Sequence, residues 1–269
     1  MAIEFEQGRI GDGELSLSDR ASTIPWWLIG IILIIIVMVL QIINNVEYRR
    51  AYDAIIPGLQ LTIYATIGGF VAASIIGLFA GLGRISKNAL FRNLATAYIE
   101  FIRGVPMLVL IIVSGVVLIP TVTDGLNQSF GLDIRIPEAI RGGIALAVVY
   151  GAFMAEIFRA GVESIPKGQM EAARSVGMTH GQAMRYIVLP QAIRNVLPAL
   201  GNDFIAMLKD SSLLSVLAVR ELTQQAKLYT GSSFRYNEGY LVLTVLYLTM
   251  TLVLSLLLQW YQRRLRKGE

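Results

Sequence analysis

Residues 163–191 read ESIPKGQMEAARSVGMTHGQAMRYIVLPQ, a polar, helix-forming stretch set between long apolar runs. Ser164 is placed to cap a first short helix, with Pro166 in its opening turn where a missing N–H costs little. Glu171, Ala172 and Ala173 continue that helix as strong formers, and Gly177 supplies the left-handed residue that commonly ends one. Thr179 with Gln182 three residues later fits a capping box for a second helix, which Leu189-Pro190 is expected to stop. Ala172, Ala173 and Val176 give the first helix a small apolar face, and Met184, Ile187 and Val188 give the second a larger one. The sequence predicts two short helices bent at Gly177, the shape of a knob that enters a groove on another molecule.

Outward from this stretch the chain turns lipid-soluble. Hydrophobic residues make up 55% of its 269 residues and charged residues only 16%, a balance that a water-facing domain of this size does not tolerate. Apolar runs of about 20 residues, enough to cross a hydrocarbon core of about 30 Å as a helix, recur along it. Six are read here: 25–43, 59–82, 95–119, 140–158, 196–219 and 240–261. Trp26 and Trp27 begin the first, where amphipathic rings favour the membrane interface. That run lacks a small-residue cleavage site and follows a polar stretch, so it is expected to be a retained span. The fold class expected is all-α and integral to a membrane.

Cations set the orientation, because short loops rich in Lys and Arg stay cytoplasmic. Arg84, Lys87 and Arg92 fill one loop, Lys167, Arg174, Arg185 and Arg194 another, and Arg263, Arg264, Arg266 and Lys267 close the chain. With six spans, all three groups fall on one side. The net charge of +4 is accounted for by these loops and calls for no nucleic acid. There are no cysteines, so a disulfide framework and thiolate metal ligation are excluded. His180 is the only histidine and reads as a solvated helix-start residue. No nucleophile, acid and base come together in the pattern, so catalysis by this chain is not expected.

Within the spans, Ala73, Gly77 and Gly81 at four-residue spacing make a flat strip that another helix can approach closely, suited to packing inside one subunit or else to contact between subunits. Charged and polar groups in apolar surroundings are costly and mark partners or a water-filled route. Arg103 lies in FIRGVP, where Gly104 and Pro106 loosen the helix. Glu156 stands three residues before Arg159, close enough either to pair with it or to serve a pathway. Lys209 and Asp210, ahead of Ser211 near the middle of the fifth run, suit either the translocation route or interfacial anchoring. Asn202 and Asp203 open that run, at a cavity or at the cytoplasmic water boundary.

EAARSVG (171–177) followed by YIVLPQA (186–192) resembles the cytoplasmic EAA loop in the membrane subunits of binding-protein-dependent ABC importers. FIRGVPMLV, AEIFRAGVESIPKGQ, LPQAIRNVLPAL and KDSSLLSVLAVREL are similar to the polar amino acid permeases of that class, and the match runs from about residue 58 to 260. The resemblance implies a type I importer transmembrane domain in a bacterial cytoplasmic (inner) membrane. Five core helices would occupy 55–262, with an additional transmembrane helix at 25–44, a polar tail at 1–24 and a basic cytoplasmic end at 263–269. The coupling loop would be 163–190. Glu171 would make polar contacts with an ATPase subunit, Ala172 and Ala173 would fit closely against it, and Gly177 would hold the bend. ATP and Mg would be bound by that ATPase, leaving no cofactor in this chain. A second permease subunit, identical or homologous, and an extracytoplasmic amino acid binding protein are the other partners implied, beside membrane lipid.

The mechanism implied is alternating access, with Arg103 meeting the carboxylate and Glu156 the ammonium of an amino acid if both face the cavity. Asn202, Lys209, Asp210 and Ser211 complete the candidate pathway. Two other readings remain open: a secondary transporter driven by an ion gradient, and a non-transporting membrane protein that docks a cytoplasmic partner. The inverted repeats usual in secondary transporters are not seen. GVVLIP (115–120) departs from the aromatic-rich end expected in many relatives, which bears on the substrate more than on the mechanism.

Overall fold

A computed structural model describes residues 26–266, and residues 1–25, which hold the polar tail and the first residue of the first apolar run, and 267–269 lie outside the described residues. Helix α1 (Trp26–Asn44) is apolar on every side and buries none of its residues, the expected state of a helix whose surroundings are lipid. Asn45 breaks it in an extended conformation, and its side chain accepts the Glu47 N–H to cap α2 (Val46–Ile55). Helix α2 is amphipathic: Ala51 and Ile55 are fully buried in a cluster with Leu222, Ala226 and Val242.

The centre of the molecule is the pair α3 (Gly58–Arg84) and α6 (Glu138–Glu163). Their packing depends on the strip of small residues. Ala73, Gly77 and Gly81 are buried, and a Cβ on Gly77 would fall 2.7 Å from the Met154 Cβ. The strip therefore serves packing within the subunit, with Leu146, Tyr150, Met154 and Met207 completing the core.

Helix α4 (Ala89–Gly104) does not retrace α3. Gly83 faces Ala95 and Arg84 bonds Glu100, so α4 crosses the end of α3 at mid-length. It stops at Gly104, Val105 is extended before Pro106, and a new helix begins, as the restriction on a residue preceding proline requires. The third apolar run is thus corrected: the helix of membrane length is α5 (Met107–Phe130). Within α5 residues Val113–Leu118 form a π turn, where Gly115 lies against Leu217 and the Arg141 guanidinium donates to the Gly115 carbonyl at 3.2 Å. Gly131, at φ 65°, closes the helix.

The fifth run is corrected as well. Helix α7 (Lys167–Ser175) and the turn α8 (His180–Ala183) lead through a π turn (Met184–Val188) into α9 (Leu189–Asp210), which begins seven residues before the apolar run. Asn202 and Asp203 therefore lie well inside α9, and Lys209 and Asp210 end it. A 3-10 segment (Ser211–Leu217), α10 (Leu222–Ser233) and α11 (Tyr236–Arg266) complete the described chain. Five helical stretches, among the described residues, are long and apolar enough to cross a membrane, and α9 is not one of them. Its sequence mixes the two kinds of face: Ala192, Val196, Met207 and Leu208 are buried, while Asn195, Asn202 and Lys209 are exposed.

The basic ends predicted to share one side do so. Arg84 pairs with Glu156, and Glu156, Ser164, Arg194 and Gln262 line one cleft of about 730 Å³ at the foot of α6, α9 and α11.

Candidate functional site

The loop between α6 and α9 is built by local rules. Helix α7 ends in a paired set of backbone bonds across Gly177, with the Gly177 N–H donating to the Arg174 carbonyl at 3.1 Å and the Met178 N–H to the Ala173 carbonyl at 3.2 Å. Gly177 itself stands at φ 89°, where a side chain is strained. Thr179 and Gln182 then form the capping box: the Gln182 N–H donates to Thr179 Oγ1 at 3.3 Å and the Thr179 N–H to Gln182 Oε1 at 2.9 Å. His180 starts this turn with its side chain exposed.

Three expectations for the loop are corrected. Ser164 does not cap α7. It closes α6, where its hydroxyl donates to the Gly161 carbonyl at 2.8 Å and accepts from Asn195 Nδ2 at 2.8 Å, and Pro166 takes the N-cap position. Pro190 does not stop the chain's helical path, because it enters α9 in the first turn, where its absent N–H is not needed. Ala173 is buried within the chain rather than offered to a partner, while Glu171, Ala172, Val176 and Gly177 are exposed. Ala172 and Val176, four residues apart, share one face.

Above the loop lies a charge cluster. Glu156 Oε1 accepts from Arg84 at 2.5 Å, and Oε2 accepts from Arg159 at 2.9 Å and stands 4.0 Å from Arg103. Arg84 also bonds Glu100 at 2.8 Å, and Arg159 bonds Glu163. The Arg159 partner was legible from its three-residue spacing. Arg84 and Arg103 come from α3 and α4, and only the tertiary fold brings them in. The expectation that Glu156 offers a free negative pole to an ammonium group is thereby corrected in this conformation: three guanidinium groups already share its carboxylate. Arg103 remains partly uncovered and lies over the Phe153 ring at 6.0 Å.

Helix α9 carries the remaining candidates. Asn195, Asn202 and Lys209 recur every seven residues, hence on one face, and all three are exposed. That spacing was available in the sequence and went unread. Asp210 accepts from the Tyr150 hydroxyl at 2.7 Å, whereas Ser211 is fully buried and donates to the Leu208 carbonyl at 2.7 Å. Asp203, on the same helix, has a buried Oδ2 with no hydrogen-bond partner among the described residues. A carboxylate oxygen left so inside a membrane protein is costly unless something cationic or a donor reaches it.

Comparison with known proteins gives this geometry its context. The family model for the binding-protein-dependent transport system inner membrane component matches residues 74–267. The chain is 37% identical over 227 residues to the probable amino-acid permease protein YxeN of Bacillus subtilis (strain 168), covering 83% of this chain and 98% of that protein. It is 35% identical over 216 residues to the glutamine transport system permease protein GlnP of Escherichia coli (strain K12), covering 80% of this chain and 94% of that one. Among solved structures, a chain of an amino acid ABC transporter crystallised with histidines is similar at 40% identity and a TM-score of 0.70, with 82% of this chain and 97% of that chain covered. A chain of the inward-facing MetNI methionine ABC transporter shares the fold alone, at 20% identity and a TM-score of 0.58 over 77% of this chain and 92% of that one. The architecture is that of a type I ABC importer transmembrane domain. By fold and by sequence, the chain belongs to the family of inner membrane components of binding-protein-dependent transport systems, and is a permease subunit, not the ATPase.

Proposed function

We propose that this chain is the membrane-spanning subunit of an ATP-driven amino acid importer, coupled to an ATPase subunit through loop 163–190 and working by alternating access. The observation that carries the proposal is the loop itself: a capped, sharply bent pair of short helices that turns Glu171, Ala172 and Val176 outward at the basic end of the molecule. Such a rigid knob suits insertion into a groove on a cytoplasmic partner. Glu171 makes polar contacts there, Ala172 and Val176 provide close fit, Ala173 supports the helix from beneath, and Gly177 holds the bend. ATP and Mg belong to the ATPase.

An amino acid as substrate is supported by the names of the relatives, which include an amino-acid permease and a glutamine permease, and by the solved amino acid transporter. An extracytoplasmic binding protein delivers the substrate, and a second permease subunit, identical or homologous, completes the pathway. We assign that pathway to the exposed face of α9 bearing Asn202 and Lys209, and to Arg103, which stands beside Glu156 and Phe153 of α6. Asp203 and the Tyr150–Asp210 pair supply negative charge for an ammonium group, the role Glu156 is too heavily paired to fill. Ser211 supports the end of α9 from within the core.

The test is uptake of a panel of amino acids into liposomes holding this chain with its ATPase, second permease and binding protein. ATP-dependent uptake that Gly177→Asp abolishes is the expected outcome, because the substitution places a side chain at φ 89° on the docking surface. Uptake that survives ATP exhaustion while an ion gradient is maintained would overturn the proposal.

A further inference from the structure

The cleft at the foot of α6, α9 and α11 holds a cation that no ion pair answers. Its volume of about 730 Å³ falls within the range of about 300–1,000 Å³ usual for small-molecule sites. Three elements line it: the end of α6 with Ala160, Gly161 and Ser164, the start of α9 with Arg194 and Asn195, and Gln262 of α11. Glu156 is also part of the wall, but its carboxylate belongs to a balanced set. There Glu100, Glu156 and Glu163 are matched by Arg84, Arg103 and Arg159. Arg194 stands outside that set. It is exposed, and no carboxylate among the described residues pairs with it. The cleft therefore presents an uncompensated guanidinium, whose fork of donors matches the shape of a carboxylate.

The opposite pole is built from backbone and amides. Helix α6 is 26 residues long and ends at Glu163, so its last carbonyls bring the negative end of a helix dipole to the cleft. Ser164 fixes one amide there. Its hydroxyl donates to the Gly161 carbonyl at 2.8 Å and accepts from Asn195 Nδ2 at 2.8 Å, which leaves the Asn195 amide oxygen to accept from another donor. The Gln262 amide oxygen can accept in the same way. Ile157, Pro198 and Ala199 make an apolar wall beside these groups. A small zwitterion finds a cation for its carboxylate here, oxygen acceptors for its ammonium and apolar surface for the rest. A phosphodiester headgroup meets the guanidinium equally well, but its phosphate has no donor to offer the acceptors.

The cleft also lies in line with the face of α9 already described. Asn195, which lines it, shares that face with Asn202 and Lys209, and all three are exposed. Lys209 marks the far end of the row. Arg194 and Lys209 are fifteen positions apart, about 22 Å along the helix at 1.5 Å per residue.

Resting on the proposed importer function, we propose that this cleft is an amino acid site at the cytoplasmic end of the pathway. Arg194 takes the carboxylate, Asn195 and Gln262 take the ammonium, and the amino acid is held there before it leaves. The site reads the two poles that amino acids share, so it is broad in the side chains it accepts.

The chain contains no cysteine, so a single thiol can be placed in the cleft by Ala199→Cys or on the cytoplasmic loop outside it by Ala89→Cys. The complete complex is reconstituted with its ATPase facing the bulk solution and no nucleotide. Modification of this chain by a membrane-impermeant thiol reagent is then followed with three probes: L-glutamine, L-glutaminamide, which lacks the carboxylate, and inorganic phosphate. L-Glutamine should slow modification in the Ala199→Cys complex and not in the Ala89→Cys complex, and the other two probes should protect neither. Adding Arg194→Gln should raise the half-protecting concentration of L-glutamine roughly tenfold, the loss of one charge-assisted bond, and Arg194→Lys should recover most of the protection. Equal protection by L-glutaminamide or phosphate, no protection by L-glutamine, or protection that Arg194→Gln leaves unchanged would overturn the proposal. A thiol at position 199 that is shielded without any probe and freed by removing anionic phospholipid would overturn it too, because a lipid then fills the cleft. If Arg194→Gln does not assemble, the comparison of L-glutamine with L-glutaminamide decides. Protection that follows the expected pattern in a complex without ATP-dependent uptake would refute the importer function and leave the amino acid site standing.

Discussion

Glu156 lies in a membrane helix, where a lone carboxylate is least tolerated, and three arginines answer it. Its value to the fold lies in compensation. Replacing it by Gln leaves Arg84, Arg103 and Arg159 facing one another without the shared anion. The expected cost falls between the ~1 kcal/mol of an exposed ion pair and the ~3–5 kcal/mol of breaking a buried one. A lower thermal midpoint of the detergent-solubilised complex would register it, and an unchanged midpoint would mean the cluster is surface ornament in energetic terms. Of the three partners only Arg159 was legible beforehand, from its place one turn along the same helix. Arg84 stands 72 positions away, and no local pattern connects the two. The buried oxygen of Asp203 was equally invisible, because its surroundings come from packing rather than from its neighbours in the chain.

At the scale of elements, α10 shows how a buried acid can organise a junction. Glu221 is fully buried and caps α10, accepting the Thr223 and Gln224 N–H groups at 2.8 Å each and the Tyr247 hydroxyl of α11 at 3.0 Å. Gly58 at the start of α3 abuts the backbone of Glu221 and Leu222 so closely that a Cβ would fall 2.7 Å from it. Burial pushes the Glu221 carboxyl above its ordinary value of 4.5, against the opposing effect of its hydrogen bonds. The folded state then holds the proton more tightly than the unfolded state, so this group's contribution to stability is greatest below 4.5 and declines as pH rises through the window up to the raised value. Glu221→Gln should flatten that part of the pH–stability curve. It should also cost about 1–3 kcal/mol, since its amide sets a donor against the Thr223 N–H. Thermal melts of the two forms across this range would decide both points, and parallel curves would exclude the assignment.

For the whole molecule, α1 and α2 divide the labour of attachment. No residue of α1 is fully buried, and Ile42 near its end packs half-buried on the cluster in which α2 buries Ala51 and Ile55 against α10 and α11; α2 also pairs Glu47 with Arg235. A chain beginning at Asn45 should therefore keep its thermal midpoint in detergent and its association with the other subunits. Loss of folding on that truncation would show that α1 supports the core. The sequence by itself determined the class of protein and the loop. Long apolar runs have no stable home but a membrane, and caps and bends such as Gly177 and Thr179–Gln182 are formed by residues within a turn of one another. Tertiary structure alone decided the rest: that α4 crosses α3 and α5 spans, that α9 runs from the loop through Pro190 to Asp210, and that Glu156 is spent on three arginines. These features depend on contacts between residues far apart in the chain. Hydropathy measures affinity for lipid, and it is silent on which polar side chains meet within the packed protein.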